Sequence, residues 1–177
     1  MGGGCGPEPS ELDLSVPRYY LAATTITCND GNSYALFGGG RGLFSTTVYN
    51  DVDVFECCDV TNNIQYKTTL HLQNAREGLE ATTITCNDGK SYALFGGGYS
   101  FDGNDTIYYN DVDVFECCDG TIVYKEKVEW QNGRSLLAAT TITCPDGKSY
   151  ALFGGGYSFG DSGATIYNDV DVFECCD

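Results

Sequence analysis

ATTITC at residues 23–28 returns at 81–86 and again at 139–144, each time 58 residues further on. Around it, SYALFGGG recurs from Ser33, Ser91 and Ser149, and YNDVDVFECCD from Tyr49, Tyr109 and Tyr167. Near-identity at a fixed period over most of a 177-residue chain makes each copy one supersecondary unit that buries its apolar face against its neighbours. Thr, Val, Ile, Tyr and Phe cluster in short runs broken by Asn-Asp-Gly, Pro-Asp-Gly and Gly-Gly-Gly, and no window keeps helical apolar spacing. The chain reads as all-β.

Each unit predicts four antiparallel strands. Ala22 to Cys28 and Ser33 to Gly38 form a hairpin across Asn29-Asp30-Gly31-Asn32, whose Asp and Gly accept turn conformations. A longer loop leads to Asp51 to Cys57, which alternates with Val52, Val54 and Glu56 on one face and Asp53, Phe55 and Cys57 on the other. The fourth strand is expected at Tyr66 to Leu72 and again at Tyr124 to Trp130. Its third copy appears at the front of the chain, where Leu12, Leu14 and Val16 precede Arg18 in register with Arg76 and Arg134. The expected organisation is a Gly/Pro-containing segment 1–11, a displaced fourth strand 12–18, blades at 19–76 and 77–134, and a blade at 135–177 lacking its fourth strand.

An Arg before the first strand, a hydrophobic second strand running into glycines and an Asn-Asp-Val strand, all present three times, resemble kelch repeats. The likeness covers roughly residues 11–177, with departures: the glycine run is tripled, and the fourth-strand aromatic survives only as Trp130, with Leu14 and Leu72 at the matching positions. The resemblance implies a β-propeller, in which circular closure buries the open sheet edges; with the cysteine placement below, the expectation is disulfide-stapled four-stranded blades in a kelch-like propeller or an open blade stack. Propellers have roughly 4 to 8 blades, so three blades leave closure to something else. The leading strand is expected to pair with the last blade of its own chain, of a second chain in a six-bladed dimeric ring, or of a neighbour in an endless stack; a longer repeat array is a further alternative. A head-to-tail contact closes into a ring if the rotation allows and otherwise grows as a filament.

Nine Lys and Arg against 25 Asp and Glu give a formal charge of −16, which argues against a nucleic-acid partner. No apolar run approaches a membrane span. Met1-Gly2-Gly3-Gly4-Cys5-Gly6 fits neither a secretory signal nor a myristoylation site, so a signal peptide is expected to have been removed or to lie outside this sequence.

Ten cysteines are placed regularly. Cys28, Cys86 and Cys144 end first strands, and the pairs Cys57-Cys58, Cys117-Cys118 and Cys175-Cys176 end third strands, with Cys5 outside the pattern. All ten are disulfide candidates, and an oxidising, extracellular or cell-surface setting is expected. The expected pairing is one bridge per blade between its first-strand and third-strand ends, leaving the second Cys of each pair to reach a neighbouring blade or chain. Adjacent cysteines lack the spacer of structural zinc motifs, so no metal site is assigned.

Asp51 and Asp53, and their counterparts Asp111, Asp113, Asp169 and Asp171, put paired carboxylates on the third strands. Oxygen ligands for Ca²⁺ are one reading; tying down turns and neighbouring backbone is the preferred one. Asn104-Asp105-Thr106 is the one glycosylation sequon. The sole His71 has no counterpart in the other repeats, and the glycine runs precede no helix or GK[ST], so neither a catalytic residue nor a cofactor is assigned. Two function classes follow. The first is a non-enzymatic extracellular structural protein that assembles head-to-tail into a fibre or coat by strand exchange, with Leu12, Leu14 and Val16 as the assembly strand. The alternative is a secreted binding module recognising a glycan or protein through variable loops that carry Phe44, Tyr99, Phe101, Tyr157 and Phe159.

Overall fold

A computed structural model describes residues 12–43, 46–58, 63–118, 120–161 and 163–175, leaving aside the side chains of Cys58 and Cys118. Every regular element in it is a strand. Repeat 1 forms one sheet from β1 (Ala22–Thr27), β2 (Ser33–Gly38), β3 (Asp51–Cys58) and β4 (Asn63–His71), hydrogen-bonded in that order. Repeat 2 repeats the arrangement with β5 (Glu80–Thr85), β6 (Ser91–Gly96), β9 (Asp111–Cys118) and β10 (Thr121–Glu129). Its second-to-third-strand connection carries an extra hairpin, β7 (Tyr99–Phe101) with β8 (Thr106–Tyr108). Repeat 3 has β11 (Ala138–Thr143), β12 (Ser149–Gly154) and β15 (Val170–Glu174), plus the hairpin β13 (Tyr157–Gly160) with β14 (Gly163–Ile166). All pairings are antiparallel, and β1 with β2, β5 with β6 and β11 with β12 share one register: Ala22, Glu80 and Ala138 lie opposite Gly38, Gly96 and Gly154.

Strand alternation gives each sheet two unlike faces. One carries Ile26, Tyr34, Leu36, Val52 and Val54 in repeat 1; the other carries Ala35, Phe37 and Phe55. The aliphatic face of repeat 1 packs on the aromatic face of repeat 2, so that Ile26, Leu36, Val52 and Val54 share a core with Ala93, Phe95 and Phe115. Repeat 2 treats repeat 3 the same way: Ile84, Leu94, Val112 and Val114 close on Ala151 and Phe153. The inner strands are also joined by threonine hydroxyls, Thr24 to Thr83 at 2.8 Å and Thr82 to Thr141 at 2.7 Å.

The tripled glycines have distinct jobs. A Cβ on Gly38 would stand 2.7 Å from the Phe95 ring, so this glycine lets the next sheet approach. Gly39 and Gly40 have φ of 71° and 101°, the left-handed region that side chains avoid. Their turn brings the Gly40 amide 2.8 Å from the Arg76 carbonyl, which secures the passage from one sheet to the next.

Leu12 to Val16 is not a strand. In the 58-residue register Leu14 matches Leu72, which already lies beyond the end of β4 at His71, so this segment is the exit from a fourth strand rather than the strand itself. Only Leu12 and Asp13 match β4 positions; the residues before them lie outside those described.

Candidate functional site

The arginines reach the strand after the crossing. Arg76 is fully buried and donates to Asp111 and Asp113 and, at 3.2 Å, to the Gly97 carbonyl. Arg134 makes the same pair of bonds to Asp169 and Asp171, and Arg18 donates to Asp53 at 2.9 Å and to the Phe37 carbonyl at 3.0 Å. Arg18 thus binds one carboxylate and a carbonyl of the following unit, Arg76 two carboxylates and two carbonyls, and Arg134 two carboxylates. Arg76 also lies over the Tyr109 ring, 5.2 Å from its centroid.

Surroundings separate the equivalent carboxylates. Burial pushes the Asp113 carboxyl above its ordinary range, and the Arg76 charge and the Gln73 amide only partly offset it. At Asp53 burial also pushes upward, but the Ser15 amide and hydroxyl, the Thr69 hydroxyl and Arg18 outweigh it and hold the group low.

The cysteines correct the expected pairing. Bridges join Cys28 to Cys117 and Cys86 to Cys175, between neighbouring repeats rather than within one, with Cα atoms 5.4 and 5.6 Å apart. The reason is geometric. First and third strands of one sheet flank the second, so they are roughly 9.6 Å apart at two inter-strand spacings, beyond the ~7 Å limit for a bridge. Cys28 instead points from the aliphatic face of repeat 1 towards Cys117 on the aromatic face of repeat 2. It is the first cysteine of each third-strand pair, not the second, that reaches the neighbour. Cys57 and Cys144 carry no bond, the former exposed and the latter half-buried. Cys5 and Cys176 lie outside the described residues, as do the side chains of Cys58 and Cys118.

Those two thiols mark the ends of the array, where both sheet faces lose their neighbours. On repeat 3, Ile142, Val170 and Val172 are 53%, 53% and 56% exposed, whereas their counterparts Ile84, Val112 and Val114 on repeat 2 are 5%, 0% and 7% exposed. A Cβ on Gly154 would meet no aromatic ring, unlike one on Gly38 or Gly96. At the other end the aromatic face of repeat 1 opens into a 570 Å³ groove lined by Ala23, Ala35, Phe37, Phe55 and Ile64 and flanked by Leu12, Leu14 and Leu21. Leu12 and Leu14, expected to leave for another blade, rest here on their own repeat. Ser15 anchors the segment through its amide and hydroxyl, both 3.0 Å from Asp53.

The remaining candidates are scattered. His71 is exposed on β4 with Nδ1 3.2 Å from Asp51. Asn104 sits in the exposed turn between β7 and β8, and Phe101 and Phe159 are exposed on their hairpins. Phe44 lies outside the described residues. No helix is long and apolar enough to cross a membrane among the described residues. No family model matches the chain, and no curated protein matches it.

Proposed function

We propose that this chain is a non-enzymatic extracellular structural protein whose repeats resemble kelch blades and which assembles head-to-tail, the last repeat of one copy meeting the first repeat of the next. The observation that carries this reading is the pair of end faces without a facing repeat. An aliphatic sheet face is bare at one end and an aromatic one is only partly covered, by Leu12 and Leu14, at the other, and faces of these two kinds bury each other twice inside the chain. A heterologous contact of this kind propagates unless its rotation closes a ring; a filament is the reading favoured here.

Strand exchange fits the same junction. Among the described residues repeat 3 ends in a three-stranded sheet whose β15 edge has no partner like β4 or β10 of the other repeats, and open edges invite pairing. Leu12 and Asp13, which match the last two positions of β4, would lie beside that edge in a neighbour seated on repeat 1. Disulfides between repeats suit an oxidising compartment, and Asn104 on a hairpin tip is accessible for a glycan there.

Sedimentation velocity of the full chain across concentrations tests this. Growth with concentration is expected, strengthened by salt because a charge of −16 opposes self-association. Val172→Asp should leave the chain monomeric and folded. Wild-type protein that stays monomeric throughout would refute the reading.

A second reading, a secreted kelch-like module for a glycan or protein, draws on the exposed Phe101 and Phe159, which could stack on sugar rings. Loss of glycan-array binding in a Phe101→Ala, Phe159→Ala double variant would favour it.

A further inference from the structure

Cys57 and Cys144 are the two ends of an interrupted disulfide ladder. Each bridge joins the cysteine after a first strand to the first cysteine of the Glu-Cys-Cys run in the following repeat: Cys28 to Cys117, then Cys86 to Cys175. Both have a sequence separation of 89 residues and near-equal Cα spacing. Continued one step, the ladder needs a partner for Cys144 in a fourth repeat. Continued one step back, it needs a partner for Cys57 in a repeat before the first. Both thiols are unbonded, and each sits on the face that has lost its neighbour.

We infer that Cys144 of one copy forms a disulfide with Cys57 of a second copy, sealing a junction that reproduces the internal interface. The inference rests on the head-to-tail reading and adds its covalent chemistry. The sheet contacts should follow the same translation. Phe37 of the second copy takes the place at Gly154 that Phe95 takes at Gly38 and Phe153 takes at Gly96. Thr25 of the second copy should bond Thr140 and the Thr141 carbonyl, as Thr83 bonds Thr24 and the Thr25 carbonyl.

The bond is an oxidation, so an electron acceptor is required, here a low-molecular-weight disulfide of the kind that poises secretory compartments. One protein thiolate attacks that disulfide, expelling a small thiol and leaving a mixed disulfide. The second protein thiolate then displaces the other small thiol. Two protein thiols lose two electrons and two protons, and one small disulfide becomes two small thiols. Docked faces raise the effective concentration of one thiol near the other, so the junction should be oxidised well before random pairs.

Complementary variants give the test. Cys57→Ser keeps Cys144, and Cys144→Ser keeps Cys57, so neither alone can continue the ladder. Incubated with oxidised glutathione and run without reductant, each should stay monomeric, while an equimolar mixture should give a covalent dimer and nothing larger. Peptide mapping of an isotope-labelled and unlabelled mixture should place the bond between Cys144 of one chain and Cys57 of the other. Cys58→Ser should still polymerise covalently. Covalent oligomers from either single variant, a junction mapped to another pair, or reversible association by sedimentation with no bond would overturn the inference. The last of these would leave head-to-tail assembly standing, whereas no association of the wild-type chain under any condition would remove both.

Discussion

Repeats 2 and 3 carry nearly the same residues on their aliphatic faces, yet Val112 is sealed in a core and Val170 stands half in water. The two stretches, DVDVFECC at 111–118 and DVDVFECC at 169–176, do not differ at all. Burial in this molecule is therefore a property of having a next repeat, as expected where each unit contacts only its neighbours and interface energies add along the array. The same split runs through the arginine clusters. Asp113 is fully enclosed beside Arg76, while Asp169 and Asp171 beside Arg134 are 51% and 25% exposed at the side chain.

Identical substitutions at equivalent positions should expose that asymmetry most sharply on the valines. Val112→Asp buries an unpaired carboxylate and should cost on the order of 5 kcal/mol or abolish folding. Val170→Asp should shift chemical denaturation of the monomer by only about 0.5 kcal/mol. Equal losses at both sites would mean that repeat 3 is covered in solution.

Next in size is the arginine pair. Arg76→Ala strands two enclosed carboxylates and should cost about 4 kcal/mol; Arg134→Ala leaves carboxylates that water can reach and should cost about 1 to 2 kcal/mol. Urea midpoints of the two variants decide it. Covalent ties should show a similar but smaller contrast. Removing the Cys86–Cys175 bridge by a double serine substitution should cost about 3 kcal/mol, whereas Cys57→Ser and Cys144→Ser should leave monomer stability within about 0.5 kcal/mol of wild type.

The finest contrast is titration. Asp113 is raised and Asp53 lowered, so carbon-detected NMR should show Asp113 taking up its proton first as pH falls. Ionised Asp53 supports the fold above the usual aspartate range, and that support is lost as pH falls through its depressed folded value. Asp113 has the opposite sign: folding favours its protonated form, so stability is withdrawn as pH rises from the usual range through its raised value. Coincident titrations would show that Arg76 fully offsets the burial of Asp113.

The period, the first three strands of each unit and the shared register of Arg18, Arg76 and Arg134 are legible in the residues. What was hidden follows from repetition itself. When every residue recurs, a pattern of period 58 cannot say whether Cys28 belongs with Cys57 of its own unit or Cys117 of the next; only the distance between alternate strands of a sheet decides. The same ambiguity turned the exit segment Leu12–Val16 into a strand, since its match to Leu70–Asn74 was sound but β4 stops at His71. The hairpins β7–β8 and β13–β14 fall where the residues suggest loops, although the alternation of Tyr99-Ser100-Phe101 and Thr106-Ile107-Tyr108 around Asp102-Gly103 is a signal for the first of them.

Cryo-electron microscopy of oxidised, assembled full-length protein tests the central claim most directly. The account predicts a junction that superposes on the two internal interfaces, with Phe37 of one copy against Gly154 of the other and the same step from repeat 3 to the next repeat 1 as from repeat 1 to repeat 2. Copies joined through the hairpins or the sheet edges alone, or a chain whose third repeat folds back onto its own first, would contradict it.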